Sequence, residues 1–279
     1  MFYINHNSDN FTIIDCFLGE DNFEDILEEI KTLSSKKGIT RFISSHPDND
    51  HIRGLVQLDD KIDIRNFYCV KNRAIKEHQT DDFDRYCELR DSAEAYHIYK
   101  NCKRKWMNIG DEERGNSGVQ VLWPDLANSE FQIALADAEA GGSPNNMSAI
   151  IRYKLENGVT VVWFGDLHKD FMELIEDELD LSHADIVFAP HHGRRTGRIP
   201  NSILKKMTPH IVVIGEAATE HLDYYAGYNT ITQNNSGDII FECTEHKVHI
   251  FTSNDYEVDF LEDENWSLAG SHYIGTLNV

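Results

Sequence analysis

The 279-residue sequence contains no apolar run long enough to cross a bilayer, which takes about 20 predominantly apolar residues as a helix. Its first residues, Met1-Phe2-Tyr3-Ile4-Asn5-His6, lack the basic and apolar regions of a secretory leader. There is no Cys-x-x-Cys pair. The five cysteines, Cys16, Cys69, Cys87, Cys102 and Cys243, are scattered and odd in number. That pattern excludes a zinc ribbon and argues against a disulfide scaffold, so reduced thiols and a cytoplasmic location are expected. Most of these cysteines read as small apolar fillers. Positive charge is scarce: 26 Lys and Arg stand against 48 Asp and Glu, a net charge of −22. Such a surface repels polyanions and gives no help to nonspecific nucleic-acid binding, although a metal centre or local basic patch reverses the field within one cleft. No internal repeat, no linker rich in Pro, Gly or Ser, and no RNA-binding or helix-turn-helix module is present. A single domain over residues 1–279 is expected, with no membrane contact.

What is there is a mixture of strand-like and helix-like segments. Phe11 to Phe17, rich in β-branched and aromatic residues, reads as a strand, as do Gly38 to Ser44, Ile64 to Val70 and Val119 to Pro124. Asn22 to Leu33 has the apolar spacing of an amphipathic helix. Asn72 to Lys105 is polar with helical spacing and is expected to form a helical excursion; Ala136 to Pro144 reads as a loop. Ser148 to Leu155 and Thr160 to Phe164 form a hairpin across Asn157-Gly158. Asp170 to Leu179 and Ile199 to Met207 read as helices. Ala184 to Ala189, His210 to Ile214, Asp238 to Glu242 and Lys247 to Thr252 read as strands. This interleaving favours a layered α/β fold.

The densest chemistry lies at His46, Asp48, Asp50 and His51, four metal-capable side chains within six residues, directly after the strand that ends at Ser44. Imidazole nitrogen with carboxylate oxygen suits Zn, Mn or Fe. The plainer alternative is a polar turn with two incidental histidines. Two later strands also end in such residues. Val161 to Phe164 runs into Gly165-Asp166, and Val187 to Pro190 runs into His191-His192-Gly193. Strand-end residues on one edge of an α/β sheet tend to converge on one crevice.

The order His-x-Asp-x-Asp-His, then Gly-Asp, then His-His-Gly resembles the metallo-β-lactamase-fold hydrolase superfamily. Asp48 in place of the usual second histidine, Asn145-Asn146-Met147-Ser148, and Pro190-His191-His192-Gly193 are similar to the branch containing the hydrolase domain of the competence DNA-uptake protein. The resemblance spans roughly residues 10 to 250. It implies a four-layer αββα sandwich with a dinuclear metal centre at one edge. On that resemblance His46 and Asp48 hold one divalent ion, Asp50, His51 and His191 the other, and Asp166 bridges both. Asn146 stands where the superfamily's third histidine falls, as a weak ligand or a substrate-binding residue. The phosphodiesterase branches favour His191 as the ligand, with His192 facing substrate; the lactamase branch favours His192. His221 stands near where this branch places another active-site histidine, although His221-Leu222 replaces the usual His-Pro; the plainer alternative is a surface or core histidine.

Three carboxylates, Asp48, Asp50 and Asp166, against two divalent cations (Zn or Mn, with Fe as a third candidate) leave the centre electropositive toward an anion. Such a centre activates water and stabilises developing charge on a phosphoryl or carbonyl oxygen. On this reading Asp50 orients the water, and His192 or a metal-bound water protonates the leaving group. Arg53, Arg194 and Arg195, with Arg198 close by, suit bidentate recognition of phosphate; the plainer alternative is that they neutralise an acidic protein. Lys103, Arg104 and Lys105 form a second basic spot, and Tyr224, Tyr225, Tyr228 and Trp123 are candidates for base stacking or for core packing. A metal-dependent hydrolase of a phosphodiester is expected, a nuclease or nucleotide phosphodiesterase whose anionic substrate is a nucleic acid or nucleotide. The alternatives are a lactone, thioester or amide hydrolase on the same centre, and a catalytically weak regulatory or binding protein.

Overall fold

The computed structural model describes residues 1–19 and 23–279, without the side chains of 219–221. It is a mixed α/β protein whose chain divides into two compact units, Met1–Ile150 and Ile151–Val279.

The first unit is built on the strands β1 (Phe2–Asn5), β2 (Asn10–Ile14), β3 (Cys16–Phe17), β4 (Ile39–Ser44), β5 (Phe67–Val70), β6 (Tyr96–Ile98) and β7 (Val119–Trp123). Five of them form a sheet in the order β1-β2-β4-β5-β6. Only β1 runs antiparallel to its neighbour. β2 and β5 are buried along their whole length, as expected of parallel strands covered on both faces. One face carries Phe11, Ile13, Phe42 and Phe67 against the apolar sides of α1 (Phe23–Ser34), α3 (Leu55–Ile62) and α4 (Asp81–Asp91). Phe42 and Phe67 stack at 5.6 Å, and Tyr86 meets Phe67 edge-on at 5.7 Å. Burying one such aromatic side chain is worth about 2–3 kcal/mol.

The other face holds a polar network around fully buried Arg41. Its guanidinium donates to Asn10 Oδ1 and the Trp106 carbonyl at 3.0 Å and to Thr12 Oγ1 at 3.2 Å. Thr12 Oγ1 also lies 2.9 Å from His6 Nε2. A short helix, α2 (Asn49–Ile52), opens where β4 ends and is followed at once by α3. Gly54 makes that junction: its φ is +85°, and a Cβ there would sit 2.7 Å from Leu18. Asp82 of α4 accepts the Gly54 and Val56 N–H groups at 2.9 and 3.0 Å, satisfying donors at the start of α3.

The second unit contains β8 (Ile150–Lys154), β9 (Thr160–Trp163), β10 (Ile186–Phe188), β11 (Ile211–Ile214) and β12 (Thr230–Thr232), each paired with the next. β8 and β9 are the antiparallel hairpin, and β9 to β12 are parallel. Asn157 turns the hairpin with φ +55°. In register, Trp163, Phe188 and Val213 stand side by side, so the segments leaving β9 and β10 emerge at the same sheet edge. The helices α6 (Lys169–Ile175) and α7 (Asn201–Met207) connect these strands. A separate antiparallel sheet, β13 (Ile239–Thr244), β14 (Lys247–Thr252) and β15 (His272–Asn278), closes the unit.

Three expectations from the sequence are corrected. The run Phe11 to Phe17 is not one strand: Asp15, with φ +57°, breaks it after Ile14. Residues 72–105 are helical only over Asp81–Asp91, where Thr80 Oγ1 accepts the Phe83 N–H, and then form β6. Ala136 to Glu139 is the end of a helix, α5 (Ser129–Glu139), begun by Asn128, whose side chain accepts the Phe131 N–H at 2.8 Å. Its alanines favour helix, and only Ala140 to Pro144 form the loop.

Burial, reinforced by the charges of Arg41 and Lys37, depresses the His6 pKa from 6.5 to about 3. An unfolded chain therefore takes up this proton in a range where the folded one does not, and stability falls as pH drops from 6.5 toward 3. His6→Gln keeps a polar partner for Thr12 and removes the titration. The stability difference between variant and parent, from urea unfolding, should grow in the variant's favour by up to about 1.4 kcal/mol per pH unit across that window. A pH-independent difference contradicts this.

Candidate metal centre

The parallel pairing of β2 with β4 sets Ile14 opposite Ile43, so the residues after the two strands meet. Asp15 follows β2 and Ser45 follows β4. Asp15 Oδ1 accepts the Ser45 N–H at 2.7 Å, and Oδ2 accepts the Ser45 hydroxyl at 2.7 Å. The same Oδ2 lies 2.8 Å from His51 Nδ1, and Ser45 Oγ lies 3.0 Å from His46 Nδ1. An ionised Asp15 accepts from both Ser45 and His51, and Ser45 Oγ in turn accepts from His46. Both imidazoles then carry their proton on Nδ1 and present the Nε2 lone pair. Their ring centroids are 4.2 Å apart, and both rings are buried. This is the carboxylate-to-histidine support that metal-ligating imidazoles require. Burial works to raise the Asp15 pKa, but the charge of His51, its hydrogen bond, and the contributions of His46 and Ser45 together hold it below the usual carboxylate range.

Asp50 and His51 each offer a ligand atom within 4.8 Å of the other. Asp48 is engaged differently. Its Oδ1 accepts the Asn49 N–H at 2.9 Å, capping α2, and takes an ion pair from Lys76 Nζ at 2.9 Å. Partial burial works to raise its pKa; the Lys76 contact, aided by His46 and the Asn49 N–H, outweighs it and lowers it. Asn146 sits, half-buried, on the turn Asn145–Met147. That turn is tied to the same place, because the Ala149 N–H donates to the Ser45 carbonyl at 3.1 Å. Arg53 is exposed, with its guanidinium 5.5 Å from the Phe17 ring centroid.

In the second unit, Asp166 is buried just beyond β9, and His191 and His192 lie just beyond β10. The His191 N–H donates to the Gly165 carbonyl at 3.0 Å. Both histidines have left-handed backbone, with φ of 49° and 58°. Such a conformation costs a side-chain-bearing residue roughly 1–2 kcal/mol. Two glycines make room for it: a Cβ at Gly197 would meet the Pro190 carbonyl oxygen at 2.3 Å, and one at Gly215 would meet His192 at 3.2 Å. The turn brings Nε2 of His191 and Nε2 of His192 each to 3.9 Å from Asp166 Oδ2. That is too long for a hydrogen bond. It suits two donors of one ion, whose bonds of about 2.0–2.2 Å separate its ligands by about 3–4 Å.

His191 makes further contacts. His191 Nδ1 is 2.8 Å from Thr196 Oγ1, and its Nε2 is 3.4 Å from an Arg194 nitrogen. Its ring stacks on His168 at 5.6 Å. Burial, with Arg194, His168 and His192, holds the His191 imidazole below its ordinary pKa despite Asp166. A neutral His191 with Nδ1–H toward Thr196 therefore receives the Arg194 N–H at Nε2. Arg195 is exposed nearby, and Arg198 lies over the Tyr224 ring at 5.8 Å.

His221, expected near the site, lies outside the residues whose side chains are described. Trp123 and Tyr225 are buried core residues, which removes them as stacking surfaces for a base. Lys105 is ion-paired to Asp111, and Arg104 lies over the Tyr96 ring. Asp15, Ser45, His168 and Thr196 were not anticipated. Asp15 did carry a signal: an acidic residue closing the apolar run Ile13-Ile14 repeats the pattern that marked Asp166.

Asp15→Asn retains the shape and tolerates the left-handed backbone, but it removes the charge that orders the two rings. Divalent-metal affinity is expected to fall about 10- to 100-fold by chelator competition; unchanged affinity in a folded variant contradicts the role given to Asp15. No family model matches the chain, and no curated protein matches it.

Proposed function

We propose that the chain is a metal-dependent hydrolase of phosphodiesters, built as a four-layer αββα sandwich of the metallo-β-lactamase type. The observation that carries it is the Asp15–Ser45 clamp, which sets two buried imidazoles in the ligating tautomer beside Asp50. The matching pair Asp166 and His192, with its 3.9 Å separation, supports the second half.

The donors fit Zn or Mn: imidazole nitrogens with carboxylate oxygens, and no thiolate among them. Asp50 and His51 would serve the stronger ion of the first unit, and Asp166 and His192 would serve an ion of the second. His192 takes the ligand role, with its Nε2 3.9 Å from Asp166 Oδ2, while His191 contacts Thr196 and Arg194 through its ring nitrogens. His46 would join a second, weaker ion, since Asp48 must leave Lys76 to complete it. When bound, the metal supplies an activated water at neutral pH and a positive charge toward a developing oxyanion.

The chain's own groups do the rest. Arg194, held over His191, is placed to donate two parallel N–H bonds to a phosphate, with Arg195 and Arg53 adding positive charge. Asn146, on the turn tied to Ser45, supplies an amide donor for a substrate oxygen. His191 positions Arg194 by accepting its N–H.

Purified protein supplied with Mn or Zn should hydrolyse bis(p-nitrophenyl) phosphate or oligonucleotides. Asp166→Ala should reduce turnover on the order of a thousandfold, equivalent to about 4 kcal/mol. Absence of phosphodiester turnover alongside activity on a lactone, thioester or amide panel would move the assignment to that bond. Absence of all turnover and of bound metal would leave a binding protein.

A further inference from the structure

A second group of metal-capable side chains lies at the other end of the same parallel strands. Asp185 immediately precedes β10 and His210 immediately precedes β11, whereas His191 and His192 follow β10. The five residue steps from Asp185 to Pro190 span roughly 16 Å of extended chain, so this group is separate from the centre described above. His183 joins it from two residues before Asp185.

The two imidazoles converge on one carboxylate oxygen. His183 Nε2 is 2.9 Å and His210 Nδ1 is 3.4 Å from Asp185 Oδ1. All three ligand atoms lie within 4.8 Å of one another. Ligands of a single ion with bonds of about 2.0–2.2 Å fall about 3–4 Å apart. Two imidazoles and one carboxylate form a familiar donor set for a divalent transition metal.

Each donor is held from behind. His183 Nδ1 lies 2.8 Å from Thr208 Oγ1, so a Nδ1–H donated to that hydroxyl leaves Nε2 as the ligating nitrogen. Asp185 Oδ2 accepts the Thr160 N–H at 2.7 Å, which turns Oδ1 toward the two rings. The His210 and Ile211 N–H groups both donate to the Asp185 carbonyl at 3.0 Å, fixing the His210 backbone against Asp185.

Thr208 itself is unusual. It has φ 43° and ψ 55° at the end of α7, a left-handed conformation that a β-branched residue rarely adopts. It is held there by its N–H on the Leu204 carbonyl at 2.8 Å. The conformation places its hydroxyl on His183. Asp185 is buried, while the His183 and His210 side chains are 49% and 44% exposed. The remaining coordination positions therefore open to solvent.

We propose that His183, Asp185 and His210 form a second, surface-facing zinc site, independent of the hydrolytic centre and of the activity assigned to it. Bound zinc would staple the segments entering β10 and β11 to each other. The same contacts could be kept by protons alone, and zinc uptake separates the two cases.

The test is equilibrium dialysis of the full chain against micromolar free zinc, with bound metal counted per chain. His183→Ala and His210→Ala each alter a half-exposed side chain, and circular dichroism confirms that they fold. Each should bind one zinc fewer than the parent, and each should retain the parent's phosphodiester turnover. Asp166→Ala should lose metal from the other centre and still lose one further zinc when His210→Ala is added. Equal zinc content in the parent and in both histidine variants would overturn the proposal, whatever the outcome at Asp166.

Discussion

The candidate centre depends on one buried carboxylate. Asp15 receives the Ser45 N–H, the Ser45 hydroxyl and His51 Nδ1, and through Ser45 it also governs His46. Burial alone would push this carboxyl toward its neutral form, and the neighbouring imidazoles reverse that. The ionised state matters because a neutral Asp15 would have to donate one proton, and the chain of donors that fixes both ring tautomers would break. The carboxylate is in turn placed by sheet register: two parallel strands ending together bring the residue after one onto the residue after the other.

The second unit solves the same problem with strain in place of charge. His191 and His192 are held in consecutive left-handed conformations, and the glycines at 197 and 215 leave the space they need. Backbone that is costly in isolation persists when its surroundings over-determine it, and it clusters where side chains must be aimed. Asp15, also at positive φ, belongs to the same pattern. In both units the aimed residues leave the carboxyl ends of parallel strands, where ligands of open α/β sheets gather.

Much of this was legible in the sequence. The strands at Ile39–Ser44, Thr160–Trp163 and Ile186–Phe188 were marked by β-branched residues, and the His/Asp motifs that follow them lie where the pattern put them. The hairpin at Asn157-Gly158 was specified by its turn residues. The role of Asp15 was not legible, because the apolar run Phe11 to Phe17 continues on both sides and hides a break that only the contact with Ser45 explains. Nor could spacing show that Lys76, 28 residues away, holds Asp48. The contacts of His191 with Thr196 and Arg194 likewise depend on the turn at Gly197. Polarity misread residues 72–105, where a helix of 11 residues and a strand share one charged stretch.

The most direct test of the central claim is an anomalous-scattering experiment on crystals grown with manganese or zinc. The account predicts strong density within bonding distance of Asp50 and His51 in the first unit and of Asp166 and His192 in the second, with Asp15 still seated on Ser45 and His51. A crystal that takes up metal elsewhere, with no peak at these four residues, would contradict it.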